Sequence, residues 1–236
     1  MTSLLNKFST IFIDADDTLW ENEQYFRDAE AQFAALLAPH AKLEDVQSML
    51  WEKQEENIPL FGYGSKTYLI GMLDAAMELC GDKLDKNTYD SIKNIIKNLA
   101  FHEVKVFEGV ADTLKMLSLH YRLILATKGD SIEQRKKVTD SGLEKYFHAV
   151  EVMKGKDEAD YIELCNKYGI KPEEMVMVGN SVRSDINPVI NIGGTAVLIP
   201  HEIVWVHELA ETPESKRLVE ISNFSDLNLI FLAQKL

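Results

Sequence analysis

Thr10-Ile11-Phe12-Ile13-Asp14-Ala15-Asp16-Asp17-Thr18-Leu19 is an apolar run that breaks into three carboxylates and a hydroxyl, then turns apolar again. Residues 11–13, β-branched and aromatic, have the composition of a buried strand. Carboxylates buried at a strand end cost free energy unless a cation or hydrogen bonds compensate them. In sheets covered by helices, ligands bind just beyond the carboxyl ends of the strands. The cluster therefore points to chemistry more than to architecture, and its type suggests metal-assisted phosphoryl transfer.

Working outward, the pattern changes to helical spacing. Tyr25, Phe26, Ala29, Phe33, Leu36 and Leu37 mark a first helix. Val46, Met49, Leu50 and Trp51 mark a second, expected to stop before Pro59. Tyr68, Leu69, Met72, Leu73, Ala76 and Leu79 mark a third ended by Gly81, and Ile92, Ile95, Ile96 and Leu99 a fourth. Residues 20–103 thus read as an all-helical insert. After it, helices at 110–119, 131–141, 157–168 and 184–191 alternate with strands at 122–126, 149–152, 175–178 and 195–199. A strand at 218–221 and a helix from Ser225 onward complete the chain. Alternation of this kind implies a parallel sheet with helices on both faces. The expected fold class is α/β: a Rossmann-like parallel-sheet core of residues 1–19 and 104–236, carrying an all-helical cap at 20–103.

The chain has 236 residues, 46% of them hydrophobic and 27% charged, as in ordinary globular proteins. A formal net charge of -13 speaks against nucleic acid or an anionic membrane as partner, because both select basic surfaces. An anionic substrate would be repelled by the overall field, so a local cation has to offset that field. Cys80 and Cys165 are far apart and show no disulfide pattern, so free buried thiols in a reducing compartment are expected. The opening residues 1–7 lack a charged leader followed by a long apolar core, and no apolar run reaches the ~18 residues of a membrane span. A cytoplasmic protein, monomeric or homodimeric, is the expectation.

Three further features fall at successive strand ends, where one site can collect them. Thr127-Lys128-Gly129-Asp130 offers a hydroxyl, a lysine and backbone N–H groups to phosphate oxygens. Lys154-Gly155-Lys156-Asp157 follows the third strand; Lys156 fits a phosphate contact better because an acid and a helix follow it, with Lys154 as the alternative. Gly179-Asn180-Ser181 ends the fourth strand, with Asp185 a few residues on. Asp17 reads as a turn or capping residue. The loop 61–66 offers Tyr63 and Lys66 as substrate contacts, or is a plain interhelical turn with Ser65 as N-cap. His201, Trp205, His207 and Glu208 read as a structural loop at the rim of the site.

In these motifs and their order the chain resembles the haloacid dehalogenase superfamily, most of whose members are Mg-dependent phosphatases. Asp14-Ala15-Asp16-Asp17-Thr18-Leu19 is the most specific part of the resemblance. The helical insert stands where that superfamily carries its first-type cap. Residues 107–114 resemble its re-entry into the core, with Glu108 where proline is common. The resemblance implies that Asp14 is a nucleophile forming an aspartyl-phosphate and that Asp16 is the general acid and base. Thr127, Lys128, Gly129 and Lys156 would then hold the phosphoryl group of a small phosphorylated metabolite. Mg²⁺ would be bound by Asp14, the backbone carbonyl of Asp16, Asn180 and Asp185.

Two rival functions are a metal-independent 2-haloacid dehalogenase and a non-catalytic phosphometabolite-binding protein. Halide leaves without a proton, so Asp16 argues against the dehalogenase. One departure matters: Asn180 occupies a position where the superfamily usually has aspartate, so the cation site lacks one negative charge. Asn180→Asp is therefore expected to lower the Mg²⁺ concentration needed for half-maximal activity, as a magnesium titration of initial rates will read out.

Overall fold

The structure, a computed structural model, describes residues 8–232. Residues 1–7, read above as leaderless and as the start of the core, lie outside the described residues, as do 233–236 at the end of the expected last helix. The strands are β1 (Thr10–Ile13), β2 (Arg122–Lys128), β3 (Ala149–Met153), β4 (Val176–Gly179), β5 (Thr195–Leu198) and β6 (Leu218–Glu220). The helices are α1 (Glu23–Leu37), α2 (Leu43–Phe61), α3 (Ser65–Cys80), α4 (Lys86–Ala100), α5 (Val110–Ser118), α6 (Ser131–Asp140), α7 (Glu158–Tyr168), α8 (Asn187–Asn191) and α9 (Leu227–Phe231).

The strands form one six-stranded sheet in the order β3-β2-β1-β4-β5-β6, parallel throughout, so the Rossmann-like α/β class holds. The period-two alternation of a strand explains its two cores. Ile11, Ile13, Leu123, Leu125, Val176, Val178 and Val197 join one cluster with Val110, Leu114 and Leu117 of α5, Val138 of α6 and Phe231 of α9. Phe12, Ile124, Ala126, Met177, Ala196 and Leu198 join the other, with Tyr161 and Cys165 of α7 and Val189 of α8. Strand residues buried on both faces are what a near-continuous apolar run encodes.

By internal contacts the chain divides into two units. One takes in the chain up to Glu23, Val104–Lys128 and the chain from Gln134 on. The other takes in Gln24–Glu103 with Gly129–Glu133. In the first unit, the outgoing and returning segments pair: Glu21 N–H donates to the Lys105 carbonyl at 3.1 Å and Phe107 N–H to the Leu19 carbonyl at 3.0 Å. The second unit has its own core, with Phe33, Leu37, Val46, Met72, Ala75, Ala76, Ile92 and Ile96 buried across α1–α4. Cys80 and Cys165 are free and buried. Among the described residues, no helix is long and apolar enough to cross a membrane.

Four local expectations need correction. Helix α2 does not stop before Pro59 but carries it inside the last turn. Proline forfeits one helical hydrogen bond, yet the turn is held by Asn57, whose Nδ2 donates to the Lys53 carbonyl at 2.8 Å and to Asp74 at 3.0 Å. Gly62, with φ of 79°, closes the helix through its N–H to the Ile58 carbonyl. Ser65 does not cap α3: Gly64 holds the N-cap position at φ 126°, and the Ser65 hydroxyl donates to Glu133 at 2.7 Å instead. The helix expected at 184–191 is split into a π-helical turn, Val182–Ile186, followed by α8. The last helix begins at Leu227, after a 3₁₀ turn at Phe224–Asp226.

Leu114 is fully buried at the contact of α5 with the sheet. Leu114→Ala is expected to lower stability by about 2–5 kcal/mol through the cavity it leaves, measured as a fall in the urea midpoint at unchanged slope.

Candidate active site

The adjacency of β1 and β4 builds the centre of the site. Asp14 extends β1 by one residue, its N–H donating to the Val178 carbonyl at 2.9 Å, which sets its side chain beside the end of β4. Lys156 arrives from the turn after β3. Its direction is fixed by the capping box that follows, in which the Asp157 side chain accepts from Asp160 N–H at 2.9 Å and Asp157 N–H donates to Asp160 at 3.2 Å. The Lys156 ammonium donates to Asp14 and, at 2.7 Å, to Asp185. Lys154 is exposed, so of the two lysines only Lys156 joins this cluster.

Asp185 is carried by the π-helical turn, a distortion frequently found at functional sites. Its second oxygen accepts from Ser181 N–H at 3.0 Å. The turn approaches β4 so closely that a Cβ on Gly179 would lie 2.2 Å from Asp185 Oδ2. Thr18 closes the circle: its hydroxyl lies 3.1 Å from Asp14 Oδ2 and 3.2 Å from Asn180 Oδ1, a single hydrogen serving two acceptors. Asp14, Asn180, Asp185 and Lys156 are thus brought together, with Thr18 as an additional member.

The electrostatics follow from two buried carboxylates facing one ammonium. Asp14 is pushed up to about 7: burial raises it most, Lys156 pulls it down, and the charge of Asp185 raises it again. Burial alone would lower the Lys156 ammonium, but Asp14 and Asp185 outweigh it and hold the group above the usual lysine range. With both carboxylates ionised the cluster carries one uncompensated negative charge, which fits a further cation. Among the described residues no three His, Cys, Asp or Glu side chains converge as a ready metal cage. The available donors are two carboxylates, a carboxamide and backbone carbonyls, an all-oxygen set of the kind that suits Mg²⁺ with retained waters.

Asp16 does not face this cluster. Its carboxylate accepts from Trp20 Nε1 at 2.7 Å, Gln134 Nε2 at 2.8 Å and Lys137 Nζ at 2.9 and 3.0 Å. Burial would raise its pKa, but the charge of Lys137 and these hydrogen bonds leave it lowered. Gln134 and Lys137 stand three residues apart on α6 and so share one helix face. Asp17 takes the turn role: at φ 59° its side chain accepts from Asn22 N–H at 2.9 Å and Glu23 N–H at 3.1 Å, at the start of α1.

Thr127 ends β2 buried, its hydroxyl 3.5 Å from the Lys128 carbonyl, and Gly129 follows at φ 139°. Lys128 turns to Glu208, with which it forms an ion pair, and to the Ser184 hydroxyl at 2.8 Å. Glu208 therefore belongs with the strand-end loops, while His201 lies over Phe107 with ring centroids 5.8 Å apart. Sequence reasoning missed Gln134, Lys137 and the bonding roles of Thr18, Ser184 and Glu208. Only the shared face of Gln134 and Lys137 left a local signal.

A model of the haloacid dehalogenase-like hydrolases matches residues 8–193. The chain belongs to that family. This hydrolase is 31% identical to a haloacid dehalogenase-like family hydrolase of Xanthomonas campestris, with a TM-score of 0.85 over 97% of this chain and 93% of the other. It is 23% identical to human N-acylneuraminate-9-phosphatase over 89% of this chain and 86% of that protein. It is 27% identical to glyceraldehyde 3-phosphate phosphatase of Methanothermobacter thermautotrophicus over 82% and 86% of the two chains. Phosphatases are thus among the relatives of the hydrolase. A methyl group at position 179 of the hydrolase must displace Asp185: Gly179→Ala is expected to abolish turnover while the far-ultraviolet circular dichroism stays that of the folded protein.

Proposed function

We propose that this hydrolase is a phosphatase that cleaves a small phosphate monoester through an aspartyl-phosphate on Asp14. The observation that carries the reading is the buried group of Asp14, Lys156 and Asp185 at the carboxyl end of the central strands. A carboxylate oxygen of Asp14 attacks phosphorus and the alkoxide leaves, so one hard displacement becomes two easier ones. Asp16 gives the leaving oxygen its proton and later takes one from the attacking water. In the conformation described it is ionised and held by Lys137, Gln134 and Trp20, so the acid role requires it to exchange those partners for the substrate. Lys156 neutralises the transferring group, with Thr127, Gly129 and Lys128 as further contacts to it.

Asp14, the Asp16 carbonyl, Asn180 and Asp185 would hold Mg²⁺, which would supply the positive charge that offsets the phosphate. The inserted helices, residues 20–103, act as the first-type cap of a core of residues 1–19 and 104–236, setting selectivity. The substrate class, a small phosphorylated metabolite, is supported by the two phosphatases among the relatives. The overall charge of -13 supports a small molecule over nucleic acid or membrane as partner.

A panel of phosphorylated metabolites assayed with excess Mg²⁺ tests this. Release of phosphate from at least one ester is expected, lost on chelation by EDTA and lost by at least about a thousandfold in Asp14→Asn, which removes the nucleophile. Activity that survives Asp14→Asn, or halide release from 2-haloacids insensitive to EDTA, rejects the proposal.

A further inference from the structure

Glu208 is a carboxylate of the strand-end loops that the reaction outlined above leaves without a task. It sits in the irregular connection from β5 to β6, in a 3₁₀ turn at Val206–Glu208. Its side chain is only 13% exposed. One carboxylate oxygen pairs with Lys128; the other accepts from the hydroxyls of Ser181 and, at 2.5 Å, Ser184. Burial would raise this carboxyl, but the charge of Lys128 and the hydrogen bonds from Lys128, Ser181 and Ser184 hold it below the ordinary range, so it stays ionised. The connection is fastened at two more points, to the same turn and to the start of α8. Arg183 Nη1 donates to the His207 carbonyl at 2.6 Å, and Asn187 Nδ2 to the Glu211 carbonyl at 3.3 Å.

A fixed negative charge is therefore held against the turn that carries Asp185, one residue from it through Ser184. Nearby, Asn180 occupies a place where a carboxylate would bring charge to the cation directly. Counting the side chains around the turn in their ionised forms, Asp14, Asp185 and Glu208 are negative, and Lys156 and Lys128 positive. With Glu208 the group attracts a cation; without it the charges cancel. We infer that Glu208 is a positioning residue for the divalent cation, supplying from the second layer the negative charge that Asn180 withholds from the first, and that it does so by offsetting Lys128. The inference rests on the Mg²⁺ reading above. It assigns Glu208 no contact with the metal or the substrate.

The test is Mg²⁺ binding to the full chain by isothermal titration calorimetry, without substrate, on variants whose folding is checked by circular dichroism. Glu208→Gln keeps the shape of the side chain and loses its charge; it is expected to weaken Mg²⁺ binding about tenfold, as loss of an outer-layer partner commonly does. Adding Asn180→Asp to that variant is expected to restore most of the loss. Ser181→Ala with Ser184→Ala removes hydrogen bonds to Glu208 but leaves its charge, and is expected to bind Mg²⁺ nearly as the wild type does. Binding unchanged in Glu208→Gln, or unrestored in the double variant, overturns the inference. So does a loss in the serine variant as large as that in Glu208→Gln, which would mark Glu208 as a mere tether. If Glu208→Gln does not fold, Lys128→Met decides the matter: it removes the positive charge that Glu208 offsets and is expected to tighten Mg²⁺ binding, and unchanged or weaker binding overturns the inference. Wild-type protein that binds no Mg²⁺, or Asp185→Asn that binds it equally well, overturns the metal reading itself and is told apart from the other results by that control.

Discussion

One buried ammonium between two buried carboxylates is the constraint around which this protein is arranged. Lys156 donates to both Asp14 and Asp185, and all three side chains are nearly closed to solvent. Buried ion pairs of this kind give little net stability, because desolvation takes back most of the Coulomb attraction. Their retention is easier to understand as preorganisation: the charges are already stripped of water and held in fixed positions. The imbalance of two carboxylates to one ammonium leaves the site short of positive charge, the property a cation-assisted reaction on an anion requires.

Bringing those groups together is the work of the sheet order. Asp14 belongs to β1, which lies between β2 and β4, so the ends of three adjacent strands deliver Asp14, Thr127 and Gly179-Asn180 side by side. The loop after β3 then has to reach across only β2 to place Lys156 against Asp14. Buried alternation on both faces holds the strands in register, and a one-residue slip would exchange their two cores. Site geometry and core packing are in this way linked, because Asp14 continues a strand whose register the apolar side chains set. The π-helical turn adds a local adjustment, pulling Asp185 so near Gly179 that no side chain fits there.

Much of this was legible in the chain before folding. Strands and helices follow from period-two and helical spacing, and the acidic break after Ile13 stands out because charge at the end of an apolar strand costs free energy unless it is compensated. Misreadings fell where a tertiary contact outweighed a local rule. Pro59 ends helices by habit, yet Asn57 and its bond to Asp74 keep the turn around it helical. Ser65 is a good capping residue by type, but a carboxylate at Glu133 claims its hydroxyl. The choice between Lys154 and Lys156 rests on which way one short loop turns, and residue type alone does not say.

Local pattern, then, was enough for the α/β class and for the periodicity of its strands and helices, since each depends on neighbours a few residues apart. The partners of the charges were another matter. That Asp16 is gripped by Gln134 and Lys137, and Lys128 by Glu208, depends on which face of α6 meets β1 and on where the β5–β6 connection comes to rest. Those rotations and docking positions are settled by the simultaneous packing of both faces of the sheet. Residues more than a hundred positions apart, such as Asp16 and Lys137, carry no local signal of the meeting.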